Sequence, residues 1–315
     1  MAVKVYLKTL LGRPFGALFS ASGAHVLTYA ARRFSKTTPT DSPERVLQQT
    51  LVASPSPIFS ADDFGLSVGV NEGVELAHTQ GVLSQASLMV AAPAAADAVR
   101  RARGLPGLKV GLHLVLVDGD SQLGHAKLPH ITTPDGKFGK NQAALGFKYF
   151  FSASARRELR AEINAQFAAF ATTGLPLHHA DAHKHMHLHP TVAAMMIAAG
   201  REFGLRRIRV PAEPPWVMKA CGARVGFGDY ALYYWSRLLR FQARGLESAR
   251  HVFGLKWSGH MTAARVRLLL RNLPAGTAEI YFHPAVARDA QLQRLMPDYE
   301  HEAELAALLA LRADK

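Results

Sequence analysis

The sequence predicts a parallel α/β fold of the (β/α)-barrel kind, and three observations support this prediction. From Ile58 onward, short apolar runs alternate with stretches in which apolar residues recur at helical spacing. The connections between them are short, which favours parallel strands joined by helices. Acidic and histidine residues follow several of the apolar runs directly, and barrel enzymes carry their functional groups at the carboxyl ends of strands. We therefore expect one α/β domain with its chemistry at the strand ends.

The elements follow one another in a regular order along the chain. Apolar runs predict strands at residues 58–61, 83–91, 108–116, 207–210 and 278–282. Helical spacing predicts helices at residues 71–80, 93–104, 158–172, 191–203, 262–272 and 299–312, several of which are closed by a glycine. The histidine-rich residues 178–189 are expected to be extended. The first strand is expected to be short, because proline and serine fill the positions before it.

The first 56 residues differ in composition from the rest. Residues 1–40 contain six basic side chains and no acidic one, and residues 36–57 are rich in Pro, Ser and Thr. Such a segment is typical of an extension outside the fold or of a membrane-surface segment. We therefore expect residues 1–56 to be a basic extension and linker, disordered or membrane-associated, and residues 57–315 to form the catalytic domain.

Composition narrows the function further. The chain has 315 residues, of which 49% are hydrophobic and 19% charged, as in soluble globular proteins. The lone Cys221 excludes an intrachain disulfide and a cysteine-rich zinc site, and it is typical of a reducing compartment. The net charge of +13 is not accompanied by a nucleic-acid-binding motif. We expect a cytoplasmic protein, able to reach the inner membrane surface, with no nucleic-acid partner.

Four groups of acidic and histidine residues follow predicted strands. They are the pair Asp62-Asp63, His113 in KVGLHLVLV, the tract DAHKHMHLH at residues 181–189, and His283 in EIYFHPAV. Each has a plainer interpretation when it is taken alone, such as a solvated turn or a core histidine. Two adjacent aspartates at the end of an apolar strand nevertheless need a compensating cation or proton. An extended tract would also place an acid and three imidazoles on one face.

Together these groups form a ligand set suited to Zn²⁺, Fe²⁺, Co²⁺ or Mn²⁺. The acid and imidazoles that are not ligands can serve as base and acid in hydrolysis. A dinuclear phosphoesterase would need more carboxylate ligands than the sequence offers. The sequence therefore predicts a metal-dependent hydrolase.

The motifs resemble those of the YdjC-like carbohydrate deacetylases, relatives of the chitooligosaccharide deacetylases. The stretch SADDFGLSVGVNEGVELAHTQGVLSQASLMV is followed in order by KVGLHLVL, HHADAHKHMHLHP, RVPAE and FHPA. The resemblance extends from about residue 59 to the closing helix. Within the family, the sequence is most similar to the hopanoid biosynthesis-associated branch. It implies an irregular (β/α) barrel, TIM-barrel-like and polysaccharide-deacetylase-like, that is often a homodimer.

The resemblance also implies roles for single residues. Asp63, His113 and His183 would hold one divalent metal ion, Mg²⁺ or Zn²⁺. Asp62 would be the general base, and His283 the acid that protonates the leaving amine. The usual family member has a longer apolar strand before the aspartate pair, so a short first strand would loosen the placement of both aspartates.

Three further residues, His185, His187 and Arg209, are expected to bind the substrate or to orient ligands and water. The implied substrate is an N-acetylated amino sugar, and the hopanoid branch narrows it to an N-acetylglucosaminyl lipid. The stretch 214–241, rich in aromatic and basic residues, fits a lid or docking surface for such a lipid, or else an ordinary core helix or dimer contact. Two alternatives stay open: a deacetylase of soluble chitooligosaccharides, and a non-catalytic protein that binds membrane surfaces.

Overall fold

A single curled sheet of parallel strands forms the centre of the computed structural model, which describes residues 57–313. The sheet order is β4-β3-β2-β1-β6-β5, and every pairing is parallel. The strands are β1 (Ile58–Phe64), β2 (Gln85–Leu88), β3 (Lys109–Leu114), β4 (Ala180–Ala182), β5 (His251–Phe253) and β6 (Ala278–Phe282). The predicted α/β class and parallel sheet are confirmed.

Helices connect the strands and bury their apolar faces against the sheet or against one another. They are α1 (Val68–Thr79), α2 (Ala95–Arg103), α3 (Gln142–Phe151), α4 (Ala153–Thr172), α5 (Pro190–Glu202), α6 (Pro215–Ala220), α7 (Phe227–Gln242), α8 (Ala263–Arg271), α9 (Ala290–Leu295) and α10 (His301–Ala313), with a 3₁₀ helix at His183–Leu188. Most were predicted to within a few residues, because helical spacing of buried side chains is a strong signal. No helix in residues 57–313 is long and apolar enough to cross a membrane.

An irregular segment, residues 206–212, links the two edges of the sheet. The backbone N–H of Arg209 donates to the carbonyl oxygen of Ala180 in β4 at 3.1 Å. At the other edge, the N–H of Val252 in β5 donates to the carbonyl oxygen of Ala212 at 3.2 Å. This segment makes only isolated bridges, so the regular strand predicted at 207–210 is wrong. In the described residues the sheet therefore has six regular strands, where a complete TIM barrel has eight.

The histidine-rich tract also differs from its prediction. The chain is extended only over β4 and then turns into the 3₁₀ helix, in which Lys184 and His185 have φ angles of 50° and 54°. Pairing with β3 ends at Ala182, after which the chain must turn to enter α5. Alternate residues of the tract therefore do not share one face, and the expectation of an extended segment at 178–189 is wrong.

The first strand is longer and better supported than predicted. It runs for seven residues, includes both aspartates, and pairs with β2 on one side and β6 on the other. Pairing with β6 ends at Ala61, and the pairing with β2 has an irregularity between Ala61 and Phe64, so the two aspartates lie where the strand departs from regular pairing. The expectation for residues 1–56 concerns a part of the chain outside the described residues.

Candidate metal centre

Three predicted ligands, Asp63, His113 and His183, meet at the carboxyl ends of β1, β3 and β4. The Oδ1 atom of Asp63 lies 3.3 Å from Nε2 of His113 and 3.0 Å from Nδ1 of His183. One potential ligand atom from each residue lies within 4.8 Å of the other two, and all three residues are buried. Parallel strands bring their carboxyl ends to one edge, so residues up to 120 positions apart come into contact.

The chemistry of this cluster fits a divalent cation. The Oδ2 atom of Asp63 is buried and has no hydrogen-bond partner in the described part of the chain. The two ligand–ligand distances are close to about 3.3 Å, the edge of a tetrahedron with metal–ligand bonds of roughly 2.0–2.1 Å. Asp63 also has a φ angle of 62°, a left-handed conformation that non-glycine residues adopt at a cost, often at functional sites.

Asp181 orients the ring of His113. Its Oδ1 atom accepts a hydrogen bond from Nδ1 of His113 at 2.7 Å, which leaves Nε2 facing Asp63. Ser87 donates to the other oxygen of Asp181 at 3.0 Å. Burial by itself would lower the pKa of His113, but the Asp181 carboxylate, together with Asp63, raises it to about 10. Histidine ligands commonly donate their second N–H to a carboxylate in this way.

The role of Asp181 could not be predicted from the sequence. Its position in D-x-H was visible, but its partner was not, because His113 stands opposite Asp181 only through the register of β3 and β4.

A buried guanidinium lies beside the cluster. The Nη1 atom of Arg209 donates to both oxygens of Asp62 at 2.7 and 2.8 Å and lies 2.5 Å from Oδ2 of Asp181. Its Nε atom donates to Glu279 at 2.8 Å, and Ser60 donates to the same Glu279 oxygen. Arg209 is 2% exposed and is not among the described residues that line the cleft. Arg209 was expected either to bind the substrate or to orient ligands and water. Its burial away from the cleft favours the second role.

A second group of three, Asp62, His113 and Asp181, also has potential ligand atoms within 4.8 Å of one another. Both of its carboxylates are already paired with Arg209. The first group, in which a carboxylate oxygen is unpaired, is therefore the better candidate for a metal.

The two adjacent aspartates occupy different electrostatic environments. Burial raises the pKa of Asp62, Arg209 opposes that effect, Asp181 adds to it, and the net shift is upward. Burial would also raise the pKa of Asp63, but the rings of His183 and His113 hold it well below its usual range. Asp63 thus belongs to the candidate ligand cluster, whereas Asp62 lies beside it in an ion pair with Arg209.

A cleft of about 640 Å³ adjoins the cluster, a volume suited to a small ligand. Asp62, Asp63, His113, His183 and His283 line part of it, so the predicted base, acid and ligands border one space. Aromatic and apolar side chains from residues 211–233, 281 and 295–299 line other parts of it, together with the acidic Glu213, Asp229 and Asp298. Aromatic rings are suited to packing against the faces of sugars.

His283 follows β6 and is held beside a buried carboxylate. Its Nδ1 atom lies 3.8 Å from Oε2 of Glu304 in α10, and its ring packs edge-on against Tyr281 and Tyr299. Burial would lower the pKa of His283, but Glu304 and the nearby Asp63 outweigh it, so the pKa is raised. Glu304 was not identified from the sequence, because it lies in an ordinary amphipathic helix with no motif around it.

The remaining histidines of the tract have separate positions. His185 lines the cleft, and its Nε2 atom lies 3.0 Å from the hydroxyl of Tyr281. His187 is fully buried and donates from Nε2 to the backbone carbonyl of Arg209 at 3.0 Å. His185 is therefore placed to meet a bound molecule, and His187 to hold the irregular segment.

Comparisons with known proteins agree with these motifs. Residues 58–314 match the model of the family described as YdjC-like protein. The chain is 36% identical to a carbohydrate deacetylase of Brevibacillus brevis over 160 residues, which are 51% of this chain and 59% of that protein. It is 36% identical to a carbohydrate deacetylase of Vibrio cholerae over 188 residues, 58% of this chain and 67% of that protein. The alignments thus span only about three-fifths to two-thirds of these relatives.

One solved structure shares the fold. It is a crystal structure of an Enterococcus faecalis V583 protein assigned provisionally to cellobiose-phosphate cleavage. The TM-score is 0.61 at 21% identity, and the superposition covers 81% of this chain and 92% of that one. At this identity the similarity shows the fold alone.

Replacing Arg209 tests the buried ion-pair network. Arg209→Leu leaves Asp62, Asp181 and Glu279 buried without their shared cation, so we expect it to lower the free energy of unfolding by about 3–5 kcal/mol. Arg207→Leu is the matched control, because Arg207 pairs with Glu247 at the surface and should change stability by no more than about 0.5 kcal/mol. Urea unfolding of both variants measures the difference. Equal, small losses in the two variants would contradict the network.

Proposed function

Because this chain belongs to the YdjC-like protein family, we propose that it is a metal-dependent hydrolase that removes an N-acetyl group from an amino sugar. The observation that carries the proposal is the buried cluster of Asp63, His113 and His183 beside a cleft large enough for a sugar. The relatives named as carbohydrate deacetylases support the same class of substrate.

In this proposal Asp63, His113 and His183 hold one divalent ion, Mg²⁺ or Zn²⁺. The ion supplies Lewis acidity toward the acetyl carbonyl when it is bound. Two imidazoles in the donor set favour Zn²⁺, because Mg²⁺ prefers oxygen ligands. Asp181 keeps the His113 ring turned so that Nε2 faces the cluster.

Asp62 and His283 are the proposed base and acid. They lie at the ends of the neighbouring strands β1 and β6, and both border the cleft. Asp62 accepts the proton of the water that attacks the acetyl carbonyl, the carbon–nitrogen bond breaks, and His283 donates a proton to the leaving amine. The products are acetate and the free amino sugar. Arg209, which pairs with Asp62, and Glu304, which lies beside His283, hold the base and the acid in place.

We further propose that the substrate is an N-acetylglucosaminyl lipid of the hopanoid type, and that the protein acts in the cytoplasm at the inner membrane surface, as a homodimer. Two observations support this substrate over soluble chitooligosaccharides. The sequences of the motifs resemble the hopanoid biosynthesis-associated branch, and an aromatic, basic stretch lies beside the cleft. A non-catalytic membrane-binding protein is less well supported, since the base, acid and ligand residues all border one cleft.

Loss of a ligand should remove the metal. His113→Ala deletes one of two imidazoles, so the purified variant should lose most of its bound metal and its activity. Elemental analysis by mass spectrometry measures the metal. His130→Ala is the control, because His130 lies at the surface beside Glu158 and should retain the metal. Full metal and full activity in His113→Ala would show that the ligand assignment is wrong.

Loss of the base should spare the metal. Asp62→Asn keeps the shape of the side chain but cannot accept the proton, so activity should fall at least about 10²-fold with the metal content unchanged. Acetate release and elemental analysis are measured on the same preparation. If Asp62→Asn loses the metal instead, the roles of the two aspartates are exchanged.

The substrate proposal is tested by acetate release from two compounds. An N-acetylglucosaminyl hopanoid-type lipid should be turned over faster than soluble chitooligosaccharides, and vesicles should increase its turnover because they present the lipid at a surface. Faster turnover of the soluble oligosaccharide would refute the lipid substrate but would still support the proposed deacetylase activity. No acetate from either compound, by a metal-loaded enzyme, would refute the deacetylase.

A further inference from the structure

Helix α7 presents an apolar stripe to solvent. The stripe consists of five exposed residues, Phe227, Tyr230, Tyr234, Leu238 and Phe241. The spacing of three or four residues places them along one helical face. Phe227 is 81% exposed, Tyr234 55% and Phe241 57%. A surface helix normally turns its apolar residues toward the core, so a continuous exposed stripe indicates a binding surface.

The other side of α7 belongs to the cleft. Asp229, Leu232 and Tyr233 line the cleft from this helix. Trp235 anchors the helix to the end of the 3₁₀ helix by donating from Nε1 to the carbonyl oxygen of Leu188 at 2.8 Å. The helix is therefore a wall that separates the cleft from the stripe. Whatever binds the stripe lies next to the mouth of the candidate site.

The charge around the stripe is positive. Between residues 216 and 244 the chain has five basic side chains and one acidic one, Asp229, which pairs with Lys256. The guanidinium of Arg244 lies 4.0 Å from the ring centroid of Phe241, and that of Arg237 lies 5.5 Å from the ring centroid of Tyr234. Arginine is thus interleaved with the exposed rings.

This combination fits an anionic lipid surface better than a second copy of the chain. Two copies paired through the stripe would bring like charges together. An anionic surface instead attracts the arginines, while aromatic rings are favoured at the boundary between headgroups and acyl chains.

We propose that the α7 stripe docks the protein on an anionic lipid surface and so holds the mouth of the cleft at that surface. This docking requires neither bound metal nor turnover, so its failure would leave the proposed deacetylation untouched. Asp62→Asn should bind vesicles as the unchanged protein does, although it is inactive.

A fluorophore on the stripe tests the contact directly. In full-length protein that carries Cys221→Ser, an environment-sensitive dye is attached at Phe241→Cys or, as a matched control, at Leu268→Cys, an exposed apolar position on α8. Vesicles of phosphatidylglycerol and phosphatidylcholine should shift the emission of the dye at 241 to the blue and leave that at 268 unchanged. Phosphatidylcholine vesicles should have a much smaller effect. No shift at 241, or an equal shift at both positions, would overturn the proposal.

Vesicle sedimentation of substituted full-length proteins gives a second test. Tyr234→Ser with Phe241→Ser, and separately Arg237→Gln with Arg244→Gln, should weaken binding at least about tenfold. The control Arg103→Gln with Arg160→Gln removes two exposed arginines elsewhere and should bind normally. Thermal unfolding confirms that each variant is folded.

Two outcomes of these measurements would assign the surface differently. If Lys4→Gln, Lys8→Gln and Arg13→Gln together abolish binding while the α7 variants bind normally, the basic N-terminal residues carry the contact. If the stripe variants change the molecular mass in solution and bind vesicles normally, the stripe is a contact between two copies. Either result overturns docking through α7.

Discussion

The guanidinium of Arg209 is the group on which the candidate site most depends. It pairs with Asp62 of β1, Asp181 of β4 and Glu279 of β6, so a single side chain joins three strands. Each of these carboxylates is buried, and a buried charge without a partner costs several kcal/mol. Arg209 belongs to the irregular segment that links the edges of the sheet. The ion pairs therefore shape the sheet and position the candidate base at the same time.

Asp63 is a buried carboxylate of the site that lies outside the ion pairs of Arg209. This carboxylate contacts the rings of His113 and His183 and still has one oxygen unpaired. Asp181 connects the cluster of Asp63, His113 and His183 to the ion pairs of Arg209. One of its oxygens accepts a hydrogen bond from His113, and the other lies against Arg209. The two halves of the site are thus mechanically coupled, since a shift of Asp181 would turn a ligand ring and disturb the support of Asp62.

The two adjacent aspartates and helix α7 lie on different sides of the cleft. The irregularity in β1 and the left-handed backbone of Asp63 give the aspartates different partners: Asp63 contacts His113 and His183, and Asp62 pairs with Arg209. On the far side, α7 contributes aromatic and apolar residues to the cleft and exposes further aromatic residues outward. A sugar bound in the cleft and a surface bound by α7 would therefore share one helix, which connects substrate access to the location of the protein.

The α/β class, most helices and the strand ends that carry acidic and histidine residues could be predicted from local periodicity and from the rule that parallel strands end at one edge. The choice of Asp63, His113 and His183 among those residues came from the resemblance of the motifs to the YdjC-like carbohydrate deacetylases. The folded structure alone reveals the partners of Asp181, Arg209 and Glu304, because register and packing between distant elements bring each of them to its contact. It also replaced the expected extended tract by a 3₁₀ helix, and the strand at 207–210 by irregular chain. Those outcomes depend on where strand pairing stops and how a curled sheet closes, and short-range sequence patterns do not encode either.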